Sequence, residues 1–102
     1  MDCKDLTSVT IPSSVVCLKD YCFRNCSKLK DISMQEGILA LGYQCFFNCD
    51  NLTSLSIPKS VKVIGDNCFS CCKNLKSINL PANLTKKGLN LFWNSTPNIY
   101  YH

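Results

Sequence analysis

The chain has 102 residues, 46% of them hydrophobic, and a net charge of +4 from 11 Lys and Arg against 7 Asp and Glu. That is enough for one globular domain with a modest core, and too apolar for a disordered segment. No run approaches the ~18 consecutive apolar residues of a membrane helix, Met1-Asp2-Cys3-Lys4-Asp5 lacks the order of a secretory signal, and the basic residues are scattered, so neither membrane insertion nor nucleic-acid binding is expected.

Cys3-Lys4-Asp5-Leu6 has the same form as Cys26-Ser27-Lys28-Leu29, Cys49-Asp50-Asn51-Leu52 and Cys72-Lys73-Asn74-Leu75, so the chain opens on the tail of a repeat. Leu6, Leu29, Leu52 and Leu75 mark units 6–28, 29–51, 52–74 and 75–98. A fixed period in the range of roughly 20 to 50 residues is the mark of a solenoid or array.

In the first unit, Leu6, Val9 and Ile11 with Ser8, Thr10 and Pro12 have the period of two of a strand with one buried face. A strand is predicted over Ser8–Ile11, ended by Pro12, which has no backbone donor. Val15 and Leu18 then point inward. The spacing of Leu18, Cys22 and Cys26, with Phe23 on the same face, predicts a short helical turn, and Tyr21 is counted in its apolar set.

The second unit predicts a strand over Asp31–Met34 that ends less abruptly, because Gln35 replaces the proline. Phe47 stands where the other units have Arg24, Ser70 and Trp93, and is read as facing outward. The third unit predicts a strand over Ser54–Ile57. Its Gly65 aligns with Gly42 and Gly88, which points to φ > 0 or close approach between repeats, with Lys19 the exception.

The fourth unit predicts a strand over Ser77–Leu80. Lys86 and Lys87 take positions that are apolar in the other units, as polar substitution does on a terminal layer. Ser95-Thr96-Pro97 reads as a one-residue insertion, and Ile99-Tyr100-Tyr101 starts a further strand.

These motifs resemble the BspA-like leucine-rich repeats, whose units of about 23 residues read L-T-S-I-x-I-P, then S-V-x-x-I-G, then A-F-x-x-C. Leu52 to Pro58, Ser60 to Gly65 and Cys68 to Cys72 match in that order, with cysteine in place of the usual alanine at Cys22, Cys45 and Cys68. What the resemblance implies is a single leucine-rich-repeat domain over 1–102. Its fold would be a short right-handed α/β solenoid of about four repeats, with a parallel sheet on the concave face and short turns or helices on the convex side. It also implies a non-enzymatic protein-interaction module, and for some members adhesion.

Nine cysteines raise the question of a metal or disulfide framework. Register accounts for seven of them: Cys22, Cys45 and Cys68 share one repeat position, and Cys3, Cys26, Cys49 and Cys72 share another. A zinc site needs thiolates converging at ~2.3 Å, whereas these recur one per layer. The six from Cys22 to Cys72 at ladder positions are therefore expected to be buried, reduced and unmetallated, acting as small hydrophobes. Cys17 and Cys71 fall outside the ladders and are candidates for redox activity.

The sole imidazole is His102, so a cysteine nucleophile has no base, and no catalytic residue, metal or cofactor is expected. Buried thiols suit a reducing compartment, so the expected location is cytoplasmic, or the cell surface if the chain is a fragment of a longer secreted protein.

Two surfaces remain. The outward strand positions Ser8, Thr10, Asp31, Ser33, Ser54, Ser56, Ser77 and Asn79 are the predicted concave-face site for a protein partner, or for a host protein or glycan if the chain serves adhesion. Phe47, Leu89, Trp93, Ile99, Tyr100 and Tyr101 are predicted to support self-association into a homo-oligomer. Asn25, Asn48 and Asn94 align, and their amides are expected to bond turn backbone in the neighbouring repeat.

Overall fold

The structure is a computed structural model that describes residues 3–102. Nine strands follow in chain order among the described residues: β1 (Ser8–Ile11), β2 (Cys17–Leu18), β3 (Asp31–Met34), β4 (Ala40–Leu41), β5 (Ser54–Ser56), β6 (Val63–Ile64), β7 (Ser77–Leu80), β8 (Lys86–Lys87) and β9 (Asn98–Tyr101). Each repeat supplies one longer strand and one two-residue strand, and every pairing is parallel. The longer strands form two sheets, β1-β3 and β5-β7-β9, while β2-β4-β6-β8 runs unbroken along a second face.

The four expected strands are present, with β5 ending one residue early. Gln35 does not lengthen β3, which ends at Met34 opposite Ile11. The amide that a proline would lack donates to Ile11 O at 3.0 Å, so the chain leaves the strand in the same register.

The helical turn is a correction. The described residues contain no helix, because alternate N–H groups bond the next repeat and not the carbonyl four residues back. Tyr21 N, Phe23 N and Asn25 N donate to Tyr43 O, Cys45 O and Phe47 O at 2.8–2.9 Å, and the same three bonds recur from Gln44, Phe46 and Asn48. Positive φ closes each turn at both corners: Tyr21 and Asn25, Gln44 and Asn48, Asn67 and Cys71, Asn90 and Asn94. Asparagine tolerates that left-handed region better than most residues, which accounts for five of the eight positions.

Stacking fills the core. Phe23, Phe46, Phe69 and Phe92 lie nearly parallel, with successive centroids 5.5, 5.9 and 5.7 Å apart. Around them Leu29, Ile38, Leu41, Leu52, Ile57 and Ile64 are fully buried, each such side chain contributing about 1.5–3 kcal/mol relative to exposure.

Gly42, Gly65 and Gly88 are required by close approach and not by φ. A Cβ on Gly65 would lie 2.7 Å from Gly42 C and Tyr43 N. Lys19 is exposed, and so escapes the rule.

The last turn is shortened, not lengthened. Ser54 pairs with Ser77, 23 positions on, but Ser77 pairs with Asn98, only 21 on. Thr96 and Pro97 therefore bridge a gap that four residues span in the earlier repeats.

Candidate interaction surfaces

Alternation along β1, β3, β5 and β7 sets one row inward and leaves the other on the sheet face. Ser8, Thr10, Asp31, Ser33, Ser54, Ser56 and Asn79 are exposed there and Ser77 is half-buried, so the structure brings all eight predicted positions onto one surface. Tyr100 pairs with Asn79 and extends the same row. The face is interrupted between β3 and β5. Two shallow depressions of about 210 Å³ reach across the break, one lined by Ser8, Thr10, Asp31 and Ser33 with Ser54, the other by Ser54, Ser56, Ser77 and Asn79 with Ile32.

The six residues expected to support self-association come from the turns and from β9. Leu89 and Trp93 lie on the turn edge, 73% and 56% exposed, and Phe47 lies there half-buried. Ile99 and Tyr101 pair with the core residues Ile78 and Leu80, so they belong to the inward row of β9, although 41% and 56% exposed. The register position of Phe47 is not uniformly outward either. Ser70 is fully buried, its hydroxyl donating to Asn90 O at 2.6 Å and accepting from Asn67 Nδ2 at 3.2 Å.

Tyr21 is a second correction, being exposed rather than part of the core, because its positive φ swings it out of the stack. It meets Tyr43 edge-on at 5.5 Å, and Arg24 lies over the rings of Tyr21 and Phe47 at 5.3 and 5.9 Å. This cluster was missed by the sequence reading. Its signal was a lone arginine one repeat before Phe47.

Five of the six ladder thiols expected to be buried are so, while Cys22 is half-buried. Cys49 Sγ and Cys72 Sγ donate to Phe23 O and Phe46 O at 3.1 Å, and Ser95 Oγ makes the equivalent bond to Phe69 O at 2.8 Å. Burial pushes the Cys72 thiol up to about 11, and burial together with the hydrogen bond that the Cys26 thiol donates to Cys3 pushes Cys26 to about 12. Such thiols stay protonated near neutral pH and are poor nucleophiles. Cys17 is exposed and Cys71 half-buried. The asparagine amides do not reach backbone as expected: Asn48 Nδ2 donates instead to Asn25 Oδ1 at 3.0 Å.

A parallel β-solenoid of about four turns, with one leucine-anchored strand per turn and small polar residues along its sheet face, defines a repeat protein of the leucine-rich-repeat class. The family described as BspA type leucine rich repeat region (6 copies) matches residues 1–101, and the chain belongs to it. A leucine-rich repeat protein from Bacteroides ovatus is 30% identical, with a TM-score of 0.85 over 90% of this chain. The present chain spans only 24% of that protein's length. The T. pallidum leucine rich repeat protein is 22% identical with a TM-score of 0.54, over 99% of this chain and 65% of its own. A leucine rich cell surface protein from Faecalibacterium prausnitzii is 17% identical with a TM-score of 0.49, over 96% of this chain and 42% of its own.

No curated protein matches the chain. Among the described residues no helix is long and apolar enough to cross a membrane. None of these relatives supports the cytoplasmic expectation.

Proposed function

We propose that this chain is a non-enzymatic interaction module that receives a protein partner on its sheet face. The observation that carries the reading is the row of short hydroxyl and amide side chains from Ser8 to Asn79, exposed on a backbone made rigid by stacking behind it. Such side chains offer donors and acceptors at strand spacing without steric bulk, so an apposed segment gains hydrogen bonds at little entropic cost. The two depressions that reach across the β3–β5 break give that surface relief.

A photo-reactive benzoylphenylalanine at Ser56 tests this in cells that produce the protein. The expected result is a discrete cross-linked species absent when the same group replaces Lys73, which is exposed off the sheet. Equal labelling from both positions, or none from Ser56, would refute the assignment.

Self-association is a second reading, favoured by the exposure of Leu89, Trp93, Ile99, Tyr100 and Tyr101. Light scattering decides it. A mass that doubles between dilute and concentrated protein, and reverts with Trp93→Ala and Tyr100→Ala, supports a homo-oligomer, whereas a constant monomer mass removes it.

A further inference from the structure

We propose that the turn edge of the first two repeats is a docking site for an acidic polypeptide segment, with Arg24 its carboxylate anchor and Tyr21, Tyr43 and Phe47 its apolar floor. This surface is separate from the sheet face and does not depend on it. Arg24 is the only arginine in the chain, and it is held in place before any partner arrives. Its guanidinium carbon lies 5.3 Å from the Tyr21 ring centroid and 5.9 Å from that of Phe47. Tyr21 in turn is braced edge-on against Tyr43 at 5.5 Å. A side chain ordered in this way loses less rotamer freedom on binding, and the planar fork of a guanidinium takes a carboxylate by two parallel bonds.

The charge of Arg24 is available. Among the described residues the one ion pair joins Lys28 to Asp5 at 3.7 Å. Asp20, the carboxylate nearest Arg24 in sequence, accepts a hydrogen bond from Tyr43 N at 2.8 Å. Arginine and tyrosine are also the residue types in which binding energy concentrates at interfaces, and the short hydroxyls of the sheet face are not.

A second observation points to the same partner. Asn25, next to Arg24, lines a cleft of about 520 Å³ with Lys4, Asp5, Ser27, Lys28 and Asn48. Lys4 supplies further positive charge, Lys28 being paired with Asp5, and the amides and hydroxyl can bond the backbone of an extended chain. Asp5 is the single opposing charge, and it already faces Lys28. Clustered basic side chains are an established means of binding acidic segments, and here Arg24 is joined by Lys4 and Lys28 rather than by further arginines.

The test uses a fluorescein-labelled random copolymer of glutamate and tyrosine, titrated with the full chain and read by anisotropy. Saturable binding is expected. It should weaken at least fivefold with Arg24→Lys, which keeps the charge and loses the fork, and with Tyr21→Ala. Lys86→Gln, which removes one charge elsewhere, and Ser54→Tyr, on the sheet face, should each change it less than twofold. Arg24 is exposed, so the lysine variant should keep the wild-type unfolding midpoint, checked by circular dichroism.

No binding by the wild type overturns the proposal, as does a loss below fivefold with Arg24→Lys. A loss with Lys86→Gln matching that with Arg24→Lys would show bulk charge alone and also overturn it. Displacement of the copolymer by alginate at equal carboxylate concentration would do so too, by reassigning the edge to acidic polysaccharide.

Discussion

Replacing Phe46 by alanine removes an inner ring from a stack of four. Phe46 is fully buried, with Phe23 at 5.5 Å on one side and Phe69 at 5.9 Å on the other, both nearly parallel to it. A buried Phe→Ala change costs about 3–5 kcal/mol, of which the two lost ring pairs account for about 0.5–1.5 kcal/mol each. A domain of this size has a stability of about 5–15 kcal/mol, so the loss takes about a fifth of the total or more. With a urea slope of about 1.5 kcal/mol per molar, the midpoint should fall by about 2–3 M.

Phe92→Ala is the internal comparison, because Phe92 is half-buried and stacks on Phe69 alone, at 5.7 Å. It should cost about half as much. Urea titrations of both variants, followed by circular dichroism, give the answer. If Phe92→Ala destabilised as much as Phe46→Ala, or Phe46→Ala cost less than about 1.5 kcal/mol, stacking between layers would not be what holds the core.

The remaining predictions concern the turns and the thiols. Gly65→Ala puts a Cβ 2.7 Å from backbone atoms of the preceding repeat, which cannot move aside as a side chain can; a loss of about 2–3 kcal/mol is expected in the same titration, against little for Lys19→Ala. Ser95→Ala strands two buried backbone groups, Cys72 N and Phe69 O, and should cost about 2 kcal/mol or more, whereas Ser95→Cys restores the bond its neighbours Cys49 and Cys72 make and should recover half of it. Ellman's reagent on the native protein should react first with Cys17, then with the half-buried thiols, and with Cys26, Cys45, Cys49, Cys68 and Cys72 only after denaturation. Stability should also fall at high pH: the Cys72 thiol is raised from 9.0 to about 11, so the unfolded chain ionises first and the urea midpoint drops as pH rises from 9 to 11. A midpoint flat over that range would contradict a protonated buried ladder.

The repeat period, the strand positions and the inward rows were all legible, because burial on one face of a strand imposes a period of two that survives in the residues themselves. The convex side was misread for a physical reason. Leu18, Cys22 and Cys26 are four apart, as on a helix, but in a tightly cornered turn the same spacing arises from two left-handed residues four apart, Tyr21 and Asn25. Recurrent asparagine at Asn25, Asn48 and Asn94 was the available clue. The Arg24 cluster was hidden because its partners come from three directions: Tyr21 within the turn, Tyr43 diagonally across one repeat, and Phe47 directly above. Linear order displays only the first. The shortened link at Thr96 and Pro97 was illegible until β9 paired with β7.

The break between β3 and β5 gives the array a seam. On that face the first two repeats are tied to each other, and the last two to β9, but neither pair is laddered to the other. Asp20 clips the second repeat to the first, and Asp66 clips the fourth to the third, while at the seam Tyr43 has no carboxylate to offer. Just past the ends of β3 and β5 the repeats are joined by Glu36, whose two oxygens take the amides of Lys59 and Ser60 at 3.1 and 2.9 Å. The seam is thus confined to the sheet face: behind it β4 pairs with β6, and Gln44 N, Phe46 N and Asn48 N still donate to the third repeat, so a surface where a partner would lie carries a row of strand edges the ladder leaves unclaimed.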